Sequence, residues 1–256
     1  MGRHWVHAAL AVASRFLIEL RLGPRTLEQA AELVVSVALA CGQATATAAA
    51  TKPPLPLLLI DDHLPYPSAI LQVWGQVRHR RRRRGLGRLK HPDLKPPPGL
   101  LAGVVKKVRD ATGKLLRVRT RALFGRKRDI VRRIKRVGIG RKINTAHVER
   151  INGTIRGQQA RLSRRTRSGS RLPEALQWSL SLWRDLYNWT RVHGSLDGRT
   201  PAMAEGLTQE VWSVDRYVRS VVHGSDLQRA IRAEERKNLL TSALKPHKPR
   251  KAVPTS

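Results

Sequence analysis

The sequence has few of the residues that stabilise small secreted or metal-rich domains. Only one of its 256 residues, Cys41, is a cysteine, which excludes a disulfide framework and a cysteine-rich zinc site. Aromatic residues make up 4%, and 18 acidic residues face 50 lysines and arginines. A membrane-spanning helix requires roughly 20 mainly apolar residues. The most apolar long stretch, residues 31–50, is interrupted by Glu32 and three further polar residues, so no membrane span is predicted.

What the sequence does have is positive charge. The formal net charge is +32 and the isoelectric point is about 11.8, which predicts a polyanionic partner, nucleic acid being the usual one. Nonspecific anion binding and a ribosomal-type role are the alternatives. With 41% hydrophobic residues the chain can bury a core. Its start loosely imitates a secretory signal, but the apolar run continues into the alternating segment RFLIEL, so export is not expected.

The first third of the chain predicts an α/β arrangement. HWVHAALAVA and RFLIELRLG, residues 4–13 and 15–23, are typical of two adjacent strands. Thr26, followed by Gln29 at the capping-box spacing, predicts a helix from Leu27 to Ala40. PLLLI, residues 56–60, is a short apolar run ended by Asp61 and Asp62, as in a buried parallel strand.

The middle of the chain is basic. Residues 63–148 contain 25 lysines and arginines and three acids. One run consists of consecutive arginines: Arg80, Arg81, Arg82, Arg83 and Arg84. Such a run is either a solvated loop or a contact to a phosphate backbone, and the two are compatible if the loop orders on binding. Further on, the segment RVRTRAL places Arg117, Arg119 and Arg121 on one face of a predicted strand.

The last third is predicted to be helical. Val148, Ile151, Ile155 and Leu162 recur at helical spacing and indicate a buried stripe. The next predicted helix begins at Pro173 and has two apolar faces, which predicts packing on both sides and aromatic residues that serve as core. The faces consist of Trp178, Leu182, Leu186 and Trp189 on one side and Leu176, Leu180, Trp183 and Tyr187 on the other.

Two carboxylates are candidates for chemistry. Asp61 follows an apolar strand, and ligands of open α/β sheets bind just beyond the carboxyl ends of strands. One or two carboxylates are a usual protein contribution to Mg²⁺ sites. An Asp-Asp turn is the alternative. Glu149 lies beside the buried stripe and shares a helix face with Asn152 and Arg156. A solvated glutamate, or an ion pair with Arg150 or Arg156, explains its position equally well.

Two segments of the last third carry a resemblance to a known family. INTAHVERINGTIRG (residues 143–157) and YNWTRVHGSLDGRTPA (residues 187–202) resemble the end of the catalytic domain of DDE-type insertion-sequence transposases, relatives of retroviral integrases. More weakly, residues 9–30 resemble the second and third strands and first helix of that family. LLLIDDHLPY (residues 57–66) resembles the strand that carries the second catalytic aspartate, in a register that favours Asp61 over Asp62.

The resemblance implies a ribonuclease-H-like mixed sheet flanked by helices, with a basic insertion and a helical C-terminal part. It also implies cutting and joining of double-stranded DNA, at transposon ends and target, with two Mg²⁺ or Mn²⁺ ions about 4 Å apart. Asp61 and Glu149 would be the second and third acids and the metal ligands. The expected DNA contacts, besides the basic middle, are Asn152, Arg156, Arg164, Arg165, Arg191 and His193. A cytoplasmic, nucleoid-associated prokaryotic protein that forms homo-oligomers is also implied.

One acid of the resembled triad is missing. It belongs to a first strand that would precede residues 4–13, yet no acid precedes Glu19. Because that strand is central in the family fold, its absence is expected to leave the sheet broken. The chain is then a remnant, one frame of a split gene, or a protein whose start is wrongly assigned. We therefore expect no strand transfer by these 256 residues; a non-catalytic nucleic-acid-binding protein is the competing hypothesis.

Four segments are predicted on this basis. Residues 1–75 are the first part of the catalytic core and contain Asp61. Residues 76–142 form the basic insertion and further strands. Residues 143–222 are the helical part of the core and contain Glu149, and residues 223–256 are a charged tail that is expected to be disordered.

Overall fold

The computed structural model describes residues 4–42, 54–78, 93–162 and 172–223, together with 236–237 and 240–241. Two short 3-10 segments, Ala160–Leu162 and Gly194–Leu196, accompany the helices and strands. The helices and strands are β1 (Trp5–Ala11), β2 (Phe16–Gly23), α1 (Leu27–Ala40), β3 (Leu57–Asp61), α2 (Pro65–Trp74), β4 (Gln76–Arg78), β5 (Asp93–Lys95), β6 (Leu101–Arg109), β7 (Leu115–Phe124), α3 (Lys127–Val137), α4 (Ala146–Gln158), α5 (Pro173–Trp189), α6 (Pro201–Ala204) and α7 (Val214–His223).

The two adjacent strands predicted at the start of the chain are present, and they pair as an antiparallel hairpin. Leu17 and Leu20 of β2 are fully buried and pack against α4 and α5. Side-chain amides of α5 pair with the outer edge of β2. Asn188 accepts a hydrogen bond from Leu17 N at 2.9 Å and donates one to Leu17 O at 2.9 Å, and Gln177 bonds Leu22 N and Leu20 O in the same way. The outer edge of β2 is therefore covered.

Helix α1 has the predicted bounds and the predicted cap. The Thr26 hydroxyl accepts a hydrogen bond from Gln29 N at 3.4 Å, satisfying one of the free amides at the helix start. Its small residues Ala30, Ala31 and Ala38 are buried against α2, which lets the two helices approach closely.

The other large sheet is mixed, which confirms the α/β class. β3 is parallel to β6, with Ile60 opposite Val104, and β6 is antiparallel to β7. The parallel direction of β3 was predicted, but its residues are half-buried instead of buried, because β3 is an edge strand. β4 and β5 form a separate two-stranded ladder.

Helices cover both faces of the sheet β3–β6–β7. Leu58 and Ile60 pack with α1 and α2 on one face. On the other face, Leu57 and Leu59 pack with a cluster that contains the fully buried Ile130 and Ile134 of α3. The alternation of β3 side chains thus divides its residues between two cores, giving three layers.

The sheet is divided, in agreement with the expected break. β1–β2 and β3–β6–β7 are separate sheets, and within the described ranges nothing pairs with the second edge of β1 or of β3. The carboxyl end of β3 nevertheless lies near β1, since the rings of His63 and His7 are 5.9 Å apart. Two open strand edges therefore face one region of the molecule.

Helix α5 differs from its sequence-based prediction on one face. Leu180 and Tyr187 are buried, but Trp178 is 72% exposed and Leu182 50% exposed. The prediction that both faces are packed was wrong for these two residues of the second face, whereas Trp189 on the same face packs against Trp212 with ring centroids 4.3 Å apart. No helix in the described ranges is both long enough and apolar enough to span a bilayer.

Candidate functional site

A cleft of about 930 Å³ lies between β1, β3 and α4. Its walls include consecutive residues from two strands. They are residues 4–8, which comprise the start of β1 and the residue before it, and residues 59–62 at the end of β3. Consecutive residues of a strand point to opposite faces, so a cleft that meets all of them runs along the strand edge. The cleft therefore borders the unpaired edges of β1 and β3, not a face of either sheet.

Two aspartates at the end of β3 line this cleft in different states. Asp62 accepts ion pairs from Lys106 Nζ at 2.9 Å and Arg121 at 3.8 Å, so its charge is matched. Asp61 follows Ile60 and projects to the opposite face of the strand. Over the described ranges, its carboxylate has no ion-pair or hydrogen-bond partner. Of the two, Asp61 is the one that can accept a further ligand.

Glu149 reaches the same cleft from the first turn of α4. Its carboxylate accepts a hydrogen bond from the Thr145 hydroxyl at 2.6 Å and an ion pair from Lys107 Nζ at 2.5 Å. Burial raises the pKa of Glu149, but the hydrogen bonds of Lys107 and Thr145 and the charges of Lys107 and Arg109 lower it by more, so the net shift is downward. Glu149 is therefore ionised, and the ammonium group of Lys107 already balances its negative charge.

The partner of Glu149 was not among those considered from the sequence. An ion pair with Arg150 or Arg156 was the expected alternative, whereas the pair that forms joins α4 to Lys107 of β6. Because β6 is parallel to β3 with Val105 opposite Asp61, Lys107 lies two residues beyond Asp61 on the same face of the sheet. That position depends on strand register, which the local sequence does not specify.

Histidine and tyrosine side chains form the wall beside Asp61, and none of them was predicted from the sequence to be a site residue. His63 packs edge-on against Tyr66 with ring centroids 5.0 Å apart, and His7 Nε2 lies 3.2 Å from Pro24 O. Burial lowers the pKa of His63, reinforced by the charge of Arg25, and burial also lowers the pKa of His7. Both rings are therefore neutral at pH 7. Burial raises the pKa of Tyr66.

The residues present do not by themselves complete a metal site. In the part of the chain that the structure describes, no group of three or more His, Cys, Asp or Glu side chains could hold an ion. Asp61 is available, but Glu149 is held by Lys107, whose ammonium supplies the neutralising charge. Two carboxylates, one of them paired, make too small a donor set for the two-ion site implied by the resemblance.

Some predicted DNA contacts come together with these acids and others do not. Asn152 and Arg156 line the cleft with Asp61 and Glu149. Arg191 lies beyond the end of α5, bonded to Gln158 Oε1 at 3.2 Å, and does not line the cleft. His193, in edge contact with the ring of Tyr187 at 4.9 Å, is also away from it. The predicted contacts Arg80, Arg81, Arg82, Arg83, Arg84, Arg164 and Arg165 fall outside the described residues.

The three arginines of β7 form a separate basic surface. Arg117, Arg119 and Arg121 are exposed and alternate along β7 as predicted. The register places Arg119 opposite Lys106, and both Lys106 and Arg121 pair with Asp62. This surface therefore lies on the face of the sheet opposite to Lys107 and Glu149.

The fold and the site together define a basic, mixed α/β protein with an edge-lined cleft that contains three carboxylates, those of Asp61, Asp62 and Glu149. No protein-family model matches the chain, and no curated protein or solved structure is significantly similar to it.

Proposed function

We propose that this chain provides most of a DDE-type transposase catalytic domain with a ribonuclease-H-like fold, and that it binds DNA without cutting it. The observation that supports the proposal most is the cleft itself. Asp61 and Glu149, the two acids that the resemblance singles out, come from elements 88 residues apart in the chain (149 minus 61) and line the same cleft.

The divided sheet supports the ribonuclease-H-like part of the proposal. Edge strands of soluble proteins are usually protected by charge, proline or a covering element. β1 (WVHAALA) carries no formally charged residue, β3 (LLLID) carries one at its end, and both edges border the cleft. A strand placed between them would join the two sheets into one and would bring a third side chain beside Asp61 and Glu149.

A polypeptide segment outside the described residues would supply that strand. A carboxylate on it would complete the donor set that two acids leave incomplete. Under this proposal the Mg²⁺ or Mn²⁺ requirement belongs to the completed domain, and the isolated chain has no strand-transfer activity.

Double-stranded DNA is the proposed partner. A net charge of +32 favours association with a phosphate backbone and makes it dependent on salt. The exposed arginines of β7 and the cleft residues Asn152 and Arg156 are the proposed contacts. Homo-oligomerisation and association with a prokaryotic nucleoid remain part of the proposal on the resemblance alone.

The second candidate is a non-catalytic nucleic-acid-binding protein whose fold does not derive from a catalytic domain. The ion pair between Lys107 and Glu149 favours it, because a carboxylate neutralised by lysine needs no metal. Under this candidate Asp61 is only a strand-ending turn residue, and adding a strand changes nothing at the cleft.

An added strand distinguishes the two candidates. Seven apolar residues with one Asp would be joined to Trp5 through an Asn-Gly hairpin turn. Two versions would carry Asp at neighbouring positions, which point to opposite faces. We expect the extension to raise the melting temperature and only one version to bind Mn²⁺ in calorimetry, with binding lost in Asp61→Asn and Glu149→Gln.

Matched controls make the outcome decisive. Replacing the new Asp by Asn should keep the stabilisation and remove Mn²⁺ binding, and a proline at the centre of the new strand should remove both. An extension that neither stabilises the chain nor creates Mn²⁺ binding in either register would refute the catalytic-domain proposal. DNA binding, measured by fluorescence anisotropy with a 30-base-pair duplex, would then support the second candidate.

A further inference from the structure

Helix α3 has a cationic surface that is separate from the contacts named in the proposed function. Ile130 and Ile134 face the core and are fully buried. Seven of the other ten residues of the helix and its N-cap are basic: Arg126, Lys127, Arg128, Arg132, Arg133, Lys135 and Arg136. Asp129 is the single acid of this segment. So dense a charge on one helix needs a reason beyond solubility.

Local ion pairing does not neutralise this surface. Asp129 lies 3.9 Å from Arg128 and 3.5 Å from Arg132, so its charge is shared by two cations. Elsewhere in the described ranges no acid pairs with Arg126, Arg133 or Arg136. The three guanidinium groups are thus available to an external anion.

Helix stability does not explain the cations either. Lys135 and Arg136 in the last turn stabilise the negative end of the helix dipole, but Lys127 and Arg128 in the first turn oppose its positive end. Arg126 occupies the N-cap without a side-chain hydrogen bond, where Ser, Thr, Asp or Asn would stabilise the helix. The sequence thus breaks a local rule of helix design, as functional surfaces commonly do.

A groove of about 520 Å³ runs beside this surface. One wall is the turn formed by residues 96–101, and the other carries Arg126, Arg132, Arg133 and Arg136 together with the single acid Asp129. Ten residues separate Arg126 from Arg136, which is about 15 Å along a helix axis. That length matches the axial rise of about four nucleotides of one strand at 3.4 Å each.

The α3 surface and the β7 surface lie on opposite faces of the sheet. α3 packs on the face that carries Val105, whereas Arg119 and Arg121 lie on the face of Lys106 and Asp62. A duplex that lies along one face of the sheet therefore contacts only one of the two surfaces.

We propose that the groove beside α3 is a second nucleic-acid-backbone site, so that one chain holds two duplex segments at once. Arg126, Arg133 and Arg136 contact phosphates of one segment while Arg117, Arg119 and Arg121 contact the other. The inference rests on the DNA binding proposed above, but it does not require the cleft or a metal.

Two triple variants that remove equal charge test the proposal. One is Arg126→Gln/Arg133→Gln/Arg136→Gln and the other is Arg117→Gln/Arg119→Gln/Arg121→Gln. Gln has nearly the helix propensity of Arg, and circular dichroism would verify folding. Bridging is measured as capture of a fluorescent duplex by a duplex immobilised on beads, and single-duplex affinity by anisotropy over a range of salt concentrations.

The wild type is expected to bridge two duplexes, and the α3 variant to lose bridging at least tenfold while it still binds one duplex. A third variant with Lys at the three α3 positions should bridge like the wild type. If the α3 Gln variant bridges two duplexes as well as the wild type does, the inference is overturned. A dimer that binds one duplex through the β7 arginines of each subunit would give that result. If the wild type binds a single duplex without bridging, only this inference fails. If it binds none, the proposed function fails as well.

Discussion

Replacing Lys107 by Met tests whether this lysine is the counter-ion that lowers the pKa of Glu149. The Nζ–Oε2 distance of 2.5 Å corresponds to about 1.7 kcal/mol of Coulomb attraction in a water-like dielectric. The side chains of Glu149 and Lys107 are 43% and 34% exposed, so solvent screening and the cost of ordering both side chains reduce this to at most about 1 kcal/mol. Loss of this attraction should raise the pKa of Glu149, because Lys107 is among the causes that lower it.

The direction of the shift fixes the pH window. A carboxyl whose pKa is lower in the folded state contributes stability above its unfolded value of about 4.3, and the contribution is lost as pH falls through the folded value. Lys107→Met should therefore lower the free energy of unfolding by up to about 1 kcal/mol at pH 7 and by much less at pH 3. Urea unfolding at both pH values and an NMR titration of Glu149 measure these quantities.

Lys106→Met is the matched control, because Lys106 pairs with Asp62 on the other face of the sheet. It removes the same charge and should leave the Glu149 titration almost unchanged. An unchanged pKa of Glu149 in Lys107→Met, or an equal loss of stability at pH 7 and pH 3, would show that the ion pair is not what lowers the pKa.

Two further substitutions test how β2 is held. The Glu19 side chain is 8% exposed and lies 3.1 Å from Arg184. Glu19→Gln should lower the free energy of unfolding by about 3 kcal/mol, the lower end for a broken buried ion pair, because Arg184 still has its ion pair with Asp185 at 2.7 Å. Glu19→Ala, which also removes the hydrogen bond from Ser36, should cost more, and equal urea midpoints for both variants and the wild type would contradict this. Asn188→Ala leaves Leu17 N and O without partners and should lower the free energy of unfolding by about 2–6 kcal/mol, at about 1–3 kcal/mol for each of the two buried groups. Asn188→Asp places a carboxylate at the same buried site beside Leu17 O and should also destabilise the fold; a melting temperature equal to that of the wild type in either variant would contradict this.

The elements that the sequence predicted best are those with purely local signals. β1, β2 and α1 follow from alternation, from apolar periodicity and from the Thr26 cap, all of which act within a few residues. The pairing of β3 with β6 joins segments about 44 residues apart (Leu57 with Leu101), so only the parallel character of β3 could be anticipated, not its partner or its half-buried state. The exposure of Trp178 also follows from tertiary packing, since its spacing in α5 is that of a core residue.

The candidate site divides in the same way. Asp61, Glu149, Asn152 and Arg156 could be selected from motifs, because resemblance preserves residue types along the chain. Lys107 could not be selected from the sequence, because no local motif distinguishes it from the other 24 basic residues of the middle of the chain. Only the register between β3 and β6 places it two residues beyond Asp61.

The arrangement of charge in the cleft separates the two acids that the motifs treat alike. In this chain of net charge +32, the other two carboxylates of the cleft each accept an ion pair from a lysine, Asp62 from Lys106 and Glu149 from Lys107. Asp61 lies in the same cleft and accepts no such partner among the described residues, although Arg25 and Lys107 line the cleft too. Solvation explains an unpaired Asp61 only if the open strand edges beside it stay open. If a strand fills the cleft, Asp61 loses its solvating water and needs a cation. Lys107 could then pair either with Glu149 or with a carboxylate on the added strand. The Lys107→Met variant then predicts more than a pKa: it should strengthen Mn²⁺ binding in the strand-extended chain, whereas a purely structural ion pair predicts that it weakens folding and nothing else.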